Sequence, residues 1–299
     1  MAATFYLSAF ADEAGGGIKE QIAALKAHGM THIEPRGLDE GNISLYSVEQ
    51  AKELKKILDD NGIGVSSIGS HYGKIEITDD FAPHFDDFKN CVEVANILGT
   101  ERIRMFSFFF TKGQSLEEYR DEVFERLDKM CSYSLRNGVW CCHENEKDIY
   151  GDIDTRCLEI YKTFEGKIKG IFDPSNFIQC GVQILPAYEL LKDYIDYIHV
   201  KDCLYDGGKV RPAGLGDGNI VELLTRFAKD KDGSHFLTLE PHLKVFDGLK
   251  DLETAGGTAD RLKDDYTYPT NRAAFDAAAD ALDECLEKAK LTDVTIRKY

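Results

Sequence analysis

The segment Arg136-Asn-Gly-Val-Trp-Cys-Cys-His-Glu144 joins the end of one helix to the end of one strand, and its order of parts decides the fold. Upstream of it, Leu116–Arg136 places apolar residues at three- and four-residue spacing, which predicts an amphipathic helix. Gly138 stands where a helix closes on a left-handed residue. Val139–His143 is a short β-rich apolar run, and Glu144 follows at its end. The same order recurs upstream: Ile18–His28, Val48–Asp60 and Phe85–Leu98 read as helices, each followed by a glycine (Gly29, Gly62, Gly99) and another apolar run.

Counting outward from that segment gives eight runs: Phe5–Phe10, Thr31–Pro35, Gly64–Ile68, Ile103–Phe108, Val139–His143, Ile168–Asp173, Tyr194–Val200 and His235–Glu240. Their starts lie 26 to 41 residues apart, the length of one strand plus one crossover helix. Right-handed crossovers leave an open doubly wound sheet or a closed barrel. Eight units in 299 residues favour a single α/β domain over 1–299, a (β/α)8 TIM barrel. The stretch 243–271 breaks the rhythm, being polar with Gly256-Gly257 and Pro269. It is expected to be a loop insertion between strand eight and a last helix, Ala273–Leu291, of the kind that forms lids or subunit interfaces. A homo-oligomer is therefore in view.

Composition narrows function. With 36 basic against 53 acidic residues the formal charge is −17. Nucleic-acid binders need clustered Lys and Arg to displace counterions, and no such run exists here. Neither DNA, RNA nor an acidic membrane surface is an expected partner. No apolar stretch is long enough to span a bilayer, and the first residues read as a strand rather than a signal peptide. The eight cysteines form no CxxC pair. Reduced thiols and a cytoplasmic location are the expectation.

In a barrel, chemistry sits where the strands end. Four consecutive strands end on a potential metal ligand: Glu144, Asp173, His199 and Glu240. A single acid at a strand end is ordinarily a helix cap or half of a loop ion pair. Four in succession, each after an apolar run, point instead to one shared ion. Three carboxylates and one imidazole suit a hard or borderline divalent cation such as Mn²⁺, Mg²⁺ or Co²⁺, with Zn²⁺, which more often takes extra His or Cys, as an alternative.

These residues, with Ile-Glu-Pro-Arg at 33–36, Phe-Asp-Pro-Ser-Asn at 172–176, His-Val-Lys-Asp at 199–202 and Leu-Glu-Pro-His at 239–242, resemble the xylose-isomerase-like superfamily, and within it the sugar phosphate isomerase/epimerase family. The resemblance runs from strand two to strand eight. It implies a TIM barrel holding one divalent metal, often Mn²⁺, on Glu144, Asp173, His199 and Glu240. It also implies that Glu144 and Glu240 form a catalytic pair, one removing and the other returning the proton next to a carbonyl. The substrate implied is a small ketose-like sugar or a cyclitol, and the reaction an isomerisation or epimerisation through an enediolate. Where several ketose epimerases have His three residues after the metal Asp, this chain has Asn176, which weakens a 3-epimerase assignment and leaves isomerase or dehydratase chemistry open, dehydration of an inosose-type substrate being the alternative.

Further candidates for substrate contact are Arg211, Lys201, Glu34, His71, Glu146 and the aromatic Phe108. Arg211 opens Arg-Pro-Ala-Gly-Leu-Gly-Asp-Gly, whose glycines taken alone fit a plain loop equally well. Lys201 shares the His199 face by strand alternation, whereas His143 should turn away from Glu144 and pack on a helix. Two other classes are in view, a non-catalytic sugar-binding barrel and an apurinic-site endonuclease. Eight histidines in all and the −17 charge weigh against the latter.

Overall fold

A computed structural model describes residues 3–39, 41–110, 113–244, 267–291 and 294–298. The eight expected strands are β1 (Thr4–Ala9), β2 (His32–Ile33), β3 (Gly64–Val65), β4 (Arg102–Met105), β5 (Trp140–Glu144), β6 (Ile168–Phe172), β7 (Ile195–Val200) and β8 (Ser234–Leu239). β4 through β8 pair in parallel, each with the next, except that β8 sits beside both β7 and β1. The remaining seams are thinner. Thr31 and Glu34 donate their N–H groups to Leu7 and Ala9, β2 pairs with β3, and Ile68 bridges to Ile103. The ring thus closes as a parallel eight-stranded barrel, with α/β crossovers around it.

The helices are α1 (Ile18–Ala27), α2 (Val48–Asp60), α3 (Phe81–Leu98), α4 (Leu116–Arg136), α5 (Asp154–Thr163), α6 (Pro174–Gln179), α7 (Ile184–Leu191), α8 (Ile220–Asp230) and α9 (Asn271–Ala289). Gly29, Gly62, Gly99 and Gly138 all take positive φ, from 65° to 78°, the left-handed closure expected of them. Helix α3 begins earlier than expected. Asp80 caps it by accepting from the Ala82 N–H, and Pro83 falls in the first turn, where a missing N–H costs nothing. Among the elements not foreseen, β9 (Thr295–Arg297) pairs with the lower half of β1, below the point where β2 takes over that edge.

Most of the insertion expected at 243–271 lies outside the described residues. Of its ends, Leu243 is buried and Lys244 donates to the Tyr268 carbonyl at 3.0 Å. All eight cysteines are free, and no helix among the described residues is long and apolar enough to cross a membrane.

Candidate metal centre

Alternation along four strands builds the site. In β5, Trp140, Cys142 and Glu144 share one face; in β7, Tyr197 and His199 do. Inside the barrel Cys142, Ile171, Tyr197 and Phe236 form a small apolar cluster of their own, with Tyr6 and Trp140 against it. Two residues beyond, or four for Phe236, the inward position becomes Glu144, Asp173, His199 and Glu240. One ligand atom from each lies within 4.8 Å of the others, and all four side chains are buried. An apolar plug below therefore fixes the height of a polar layer above.

Asp173 does two jobs. Its Oδ1 accepts the Asn176 N–H at 2.9 Å and caps α6, the ordinary role of an acid at a strand end. Its Oδ2 is buried without a hydrogen-bond partner, with Lys201 Nζ 3.1 Å away. His199 turns Nδ1 toward Glu144 Oε1 (2.9 Å) and Glu240 Oε2 (3.5 Å), and Nε2 toward Glu34 Oε2 at 3.4 Å. A carboxylate behind the outer ring nitrogen orients metal-binding histidines and raises their basicity. Glu34 is itself held by the Tyr197 hydroxyl at 3.0 Å.

Two arginines that sequence reasoning left without a role reach the same layer. Arg104 Nη1 donates to Glu144 Oε2 at 3.1 Å, and Arg36 Nη1 to Glu240 Oε1 at 3.1 Å. Arg36 also binds Asp12 at 2.9 Å and Glu13 at 3.2 Å. Both guanidinium groups lie on the Phe10 ring, 4.4 and 4.7 Å from its centroid. The signal was present: Arg36 ends the Ile-Glu-Pro-Arg motif, and Arg104 interrupts an apolar run. What the chain does not reveal is that Arg36 and Glu240 meet across 204 positions.

The charges bear on proton chemistry. Burial pushes the Glu144 carboxyl up, but His199 and Arg104 outweigh it and bring it down to about 2. Glu240 is likewise held well below the carboxylate range, with Lys201 the strongest influence against burial. Burial, with Glu240 and Glu144 adding to it, raises Asp173 to about 7. Burial disfavours the charged form of Lys201, yet the Asp173 and Glu240 carboxylates keep it protonated.

The donor set fits a divalent cation. It offers three carboxylates and an imidazole at one level, and the Oδ2 of Asp173 is a buried acceptor still lacking a hydrogen bond.

The other candidates are placed as follows. Lys201 stands in the layer, between Asp173 and Glu240. Glu34, expected as a substrate contact, is fully buried behind His199. Glu146 pairs with Lys74 at 3.1 Å, and Lys74 lies over the Phe106 ring at 4.3 Å. His71 stacks on Tyr72, 5.0 Å between ring centres, with Asn42 at its Nδ1. Phe108 is placed away from the carboxylates: fully buried, its ring meets Phe81 of α3 and the Arg126 guanidinium of α4. Phe106, two residues earlier, is the aromatic whose ring Arg104 and Lys74 cover. His143 packs away from the site, against Tyr161 of α5 and the Ser107 hydroxyl. Arg211 is half-buried and donates to the Val210 carbonyl at 2.9 Å.

Comparison with known proteins follows the same lines. No curated protein gives a significant sequence match. A crystal structure of D-psicose 3-epimerase with D-tagatose, from Clostridium cellulolyticum H10, superposes with a TM-score of 0.72 at 15% identity, covering 95% of this chain and 99% of that one. The IolI protein with a binding zinc atom gives 0.70 at 16%, covering 97% and 99%. The probable 3-DHS dehydratase AsbF from Bacillus anthracis gives 0.66 at 18%, covering 87% and 97%. The model of the xylose isomerase-like TIM barrel matches residues 22–263, and the chain belongs to that family.

Proposed function

We propose that this protein is a divalent-metal-dependent sugar isomerase or epimerase that moves a proton on the carbon next to a carbonyl. The observation that carries the reading is the meeting of Glu144, Asp173, His199 and Glu240, delivered by four consecutive strands to one buried level. Resemblance in fold to a ketose 3-epimerase and to a zinc-holding barrel supports it.

The four residues would hold the ion, for which Mn²⁺ is our choice because the set is rich in carboxylates. When bound, it would supply Lewis-acid polarisation of the substrate's carbonyl and adjacent hydroxyl oxygens. Glu144 and Glu240 form the proton-transfer pair. Both are held ionised by neighbouring cations, the form that ligates a cation; one would remove the substrate proton and the other, once protonated, would return one to the opposite face. They rise from β5 and β8, strands separated by β6 and β7, and so approach a substrate from different walls. Asn176 Nδ2, 3.4 Å from Glu144 Oε1, and Lys201 Nζ, 3.4 Å from Glu240 Oε2, hold the two carboxylates in place. Lys201, Arg211, His71 and Glu146 are the residues we assign to substrate hydroxyls, and Glu34 acts through His199.

Dehydration of an inosose-type substrate is the second reading. Asn176 in place of a histidine leaves it open, and the likeness in fold to a probable dehydratase supports it. Screening ketoses, their phosphates and inososes with Mn²⁺ in deuterated water separates the two. Epimerisation gives deuterium at the carbon beside the carbonyl by NMR, whereas dehydration gives an alkene signal. A Glu240→Gln protein that still exchanges at the wild-type rate would end the proposed mechanism.

A further inference from the structure

The chain leaves β7 through Lys201 and Asp202, and these neighbours point opposite ways. Lys201 reaches back to Asp173 and Glu240. The Asp202 carboxylate, fully buried, faces the loop that follows. It is met there by three backbone N–H groups: Gly214 and Gly216 donate to Oδ2 at 2.9 and 3.0 Å, and Gly218 donates to Oδ1 at 2.8 Å. Alternating glycines turn the amides of 214, 216 and 218 to one side, and the close approach needs them. A Cβ on Gly216 would lie 2.3 Å from Asp202 Oδ1, and one on Gly218 would lie 2.6 Å from it. The same loop folds back as a short antiparallel pair in which Asp202 is the register partner of Arg211 and Cys203 that of Val210.

We infer that Asp202 is the positioning residue for Arg211: its buried carboxylate, gripped by the Gly214, Gly216 and Gly218 amides, fixes the loop that carries Arg211 opposite the end of the strand bearing His199. The inference rests on the proposed sugar chemistry only in taking Arg211 as a substrate contact. It gives a physical reason for the glycine pattern at 214–218, which composition alone leaves indistinguishable from an ordinary loop. A charged acceptor takes all three donors at once, whereas an amide in its place turns an NH₂ group toward one of them.

The test compares wild type with Asp202→Asn, Gly216→Ala, Arg211→Ala and the Asp202→Asn/Arg211→Ala double variant. Three readouts are taken: amide hydrogen exchange, Mn²⁺ binding by calorimetry, and kcat and KM on the substrate found by the screen. In Asp202→Asn the amides of 214, 216 and 218 should exchange about 10- to 100-fold faster, the range expected when hydrogen bonds to a charged group are lost. Mn²⁺ affinity should stay within about threefold, because the four ligands are untouched. KM should rise about tenfold with kcat changing far less, and Arg211→Ala should do the same. The double variant should be no worse than either single one, since both remove the same contact. Gly216→Ala repeats the exchange test with the carboxylate kept, should Asp202→Asn fail to fold. Wild-type exchange rates at the three glycines in Asp202→Asn, or fully additive KM effects in the double variant, would overturn the inference. Faster exchange in a protein whose wild type handles no sugar would instead fault the proposed function and leave the cradle standing.

Discussion

The two ends of the barrel interior hold buried charge in opposite states of completion. At the floor, a register shift between β6 and β7 leaves Asp196 without a ladder partner, the mark of a β-bulge. The Asp196 carboxylate is taken by Arg102 at 2.5 Å and by Lys169 at 2.8 Å. Those cations lie in turn on the Phe236 and Trp140 rings. Burial raises the Asp196 carboxyl, but Arg102 and Lys169 prevail and hold it below its ordinary value. At the rim, among the described residues, Asp12, Glu13, Glu34, Glu144, Asp173 and Glu240 face Arg36, Arg104 and Lys201 as permanent cations. Oxygens of Asp173 and Glu34 remain without a hydrogen bond there. One end is satisfied by the chain itself and serves closure; the other is short of positive charge. A buried polar group is ordinarily satisfied, so the incomplete end is where a ligand belongs.

Removing a rim carboxylate should break this contrast most sharply. Glu240→Gln and Glu144→Gln are expected to lower the exchange of the substrate's α-proton by about 10²- to 10⁴-fold, read by deuterium incorporation, while the fold survives. Their floor counterpart should do the reverse. Asp196→Ala leaves the part-buried Arg102 and Lys169 without their carboxylate and should cost about 1 to 3 kcal/mol in urea unfolding, with activity per folded molecule retained. A variant at Asp196 that lost activity without losing stability would erase the distinction between the two ends.

Adding the missing charge is the next largest effect. Mn²⁺ at about 100 times its Kd should stabilise the protein by about 2.7 kcal/mol, visible as a higher Tm that a chelator reverses. His199→Ala should abolish that shift, and Asp196→Asn should keep it. The smallest effect is on pH. Because the folded Asp196 carboxyl titrates below its ordinary value of 3.8, its contribution is complete above that value and is lost as pH falls through the folded one. Wild type should therefore lose stability below about pH 4 more steeply than Asp196→Asn, measured by unfolding at a series of pH values.

The two ends also differ in how far the sequence exposed them. Glu144, Asp173, His199 and Glu240 are legible because each follows its own apolar run, and alternation carries it inward without reference to any other strand. Asp196 is not, since its inward turn comes from a bulge that arises between β6 and β7. Phe106 and Phe108 show the same limit. Both belong to one aromatic run, and Phe108 at a φ of 68° turns its ring to the helices while Phe106 meets Arg104 and Lys74. Glu34 was placed at the right strand end, but its depth behind His199 depends on Tyr197, a residue of another wall.

By itself the sequence determined the eight-fold repeat, the glycines that close four helices, and the four strand ends that meet at one buried level. Those properties are local: a 3.6-residue or two-residue period, a backbone angle, and a residue's parity within one strand. Tertiary structure alone decided that Lys201 holds Glu240 ionised and that His199 and Arg104 do the same for Glu144, that Glu34 stands behind His199, and that Asp202 collects the amides of three glycines. Each of these is a short-range electrostatic contact between segments far apart in the chain, and no period in the sequence encodes it.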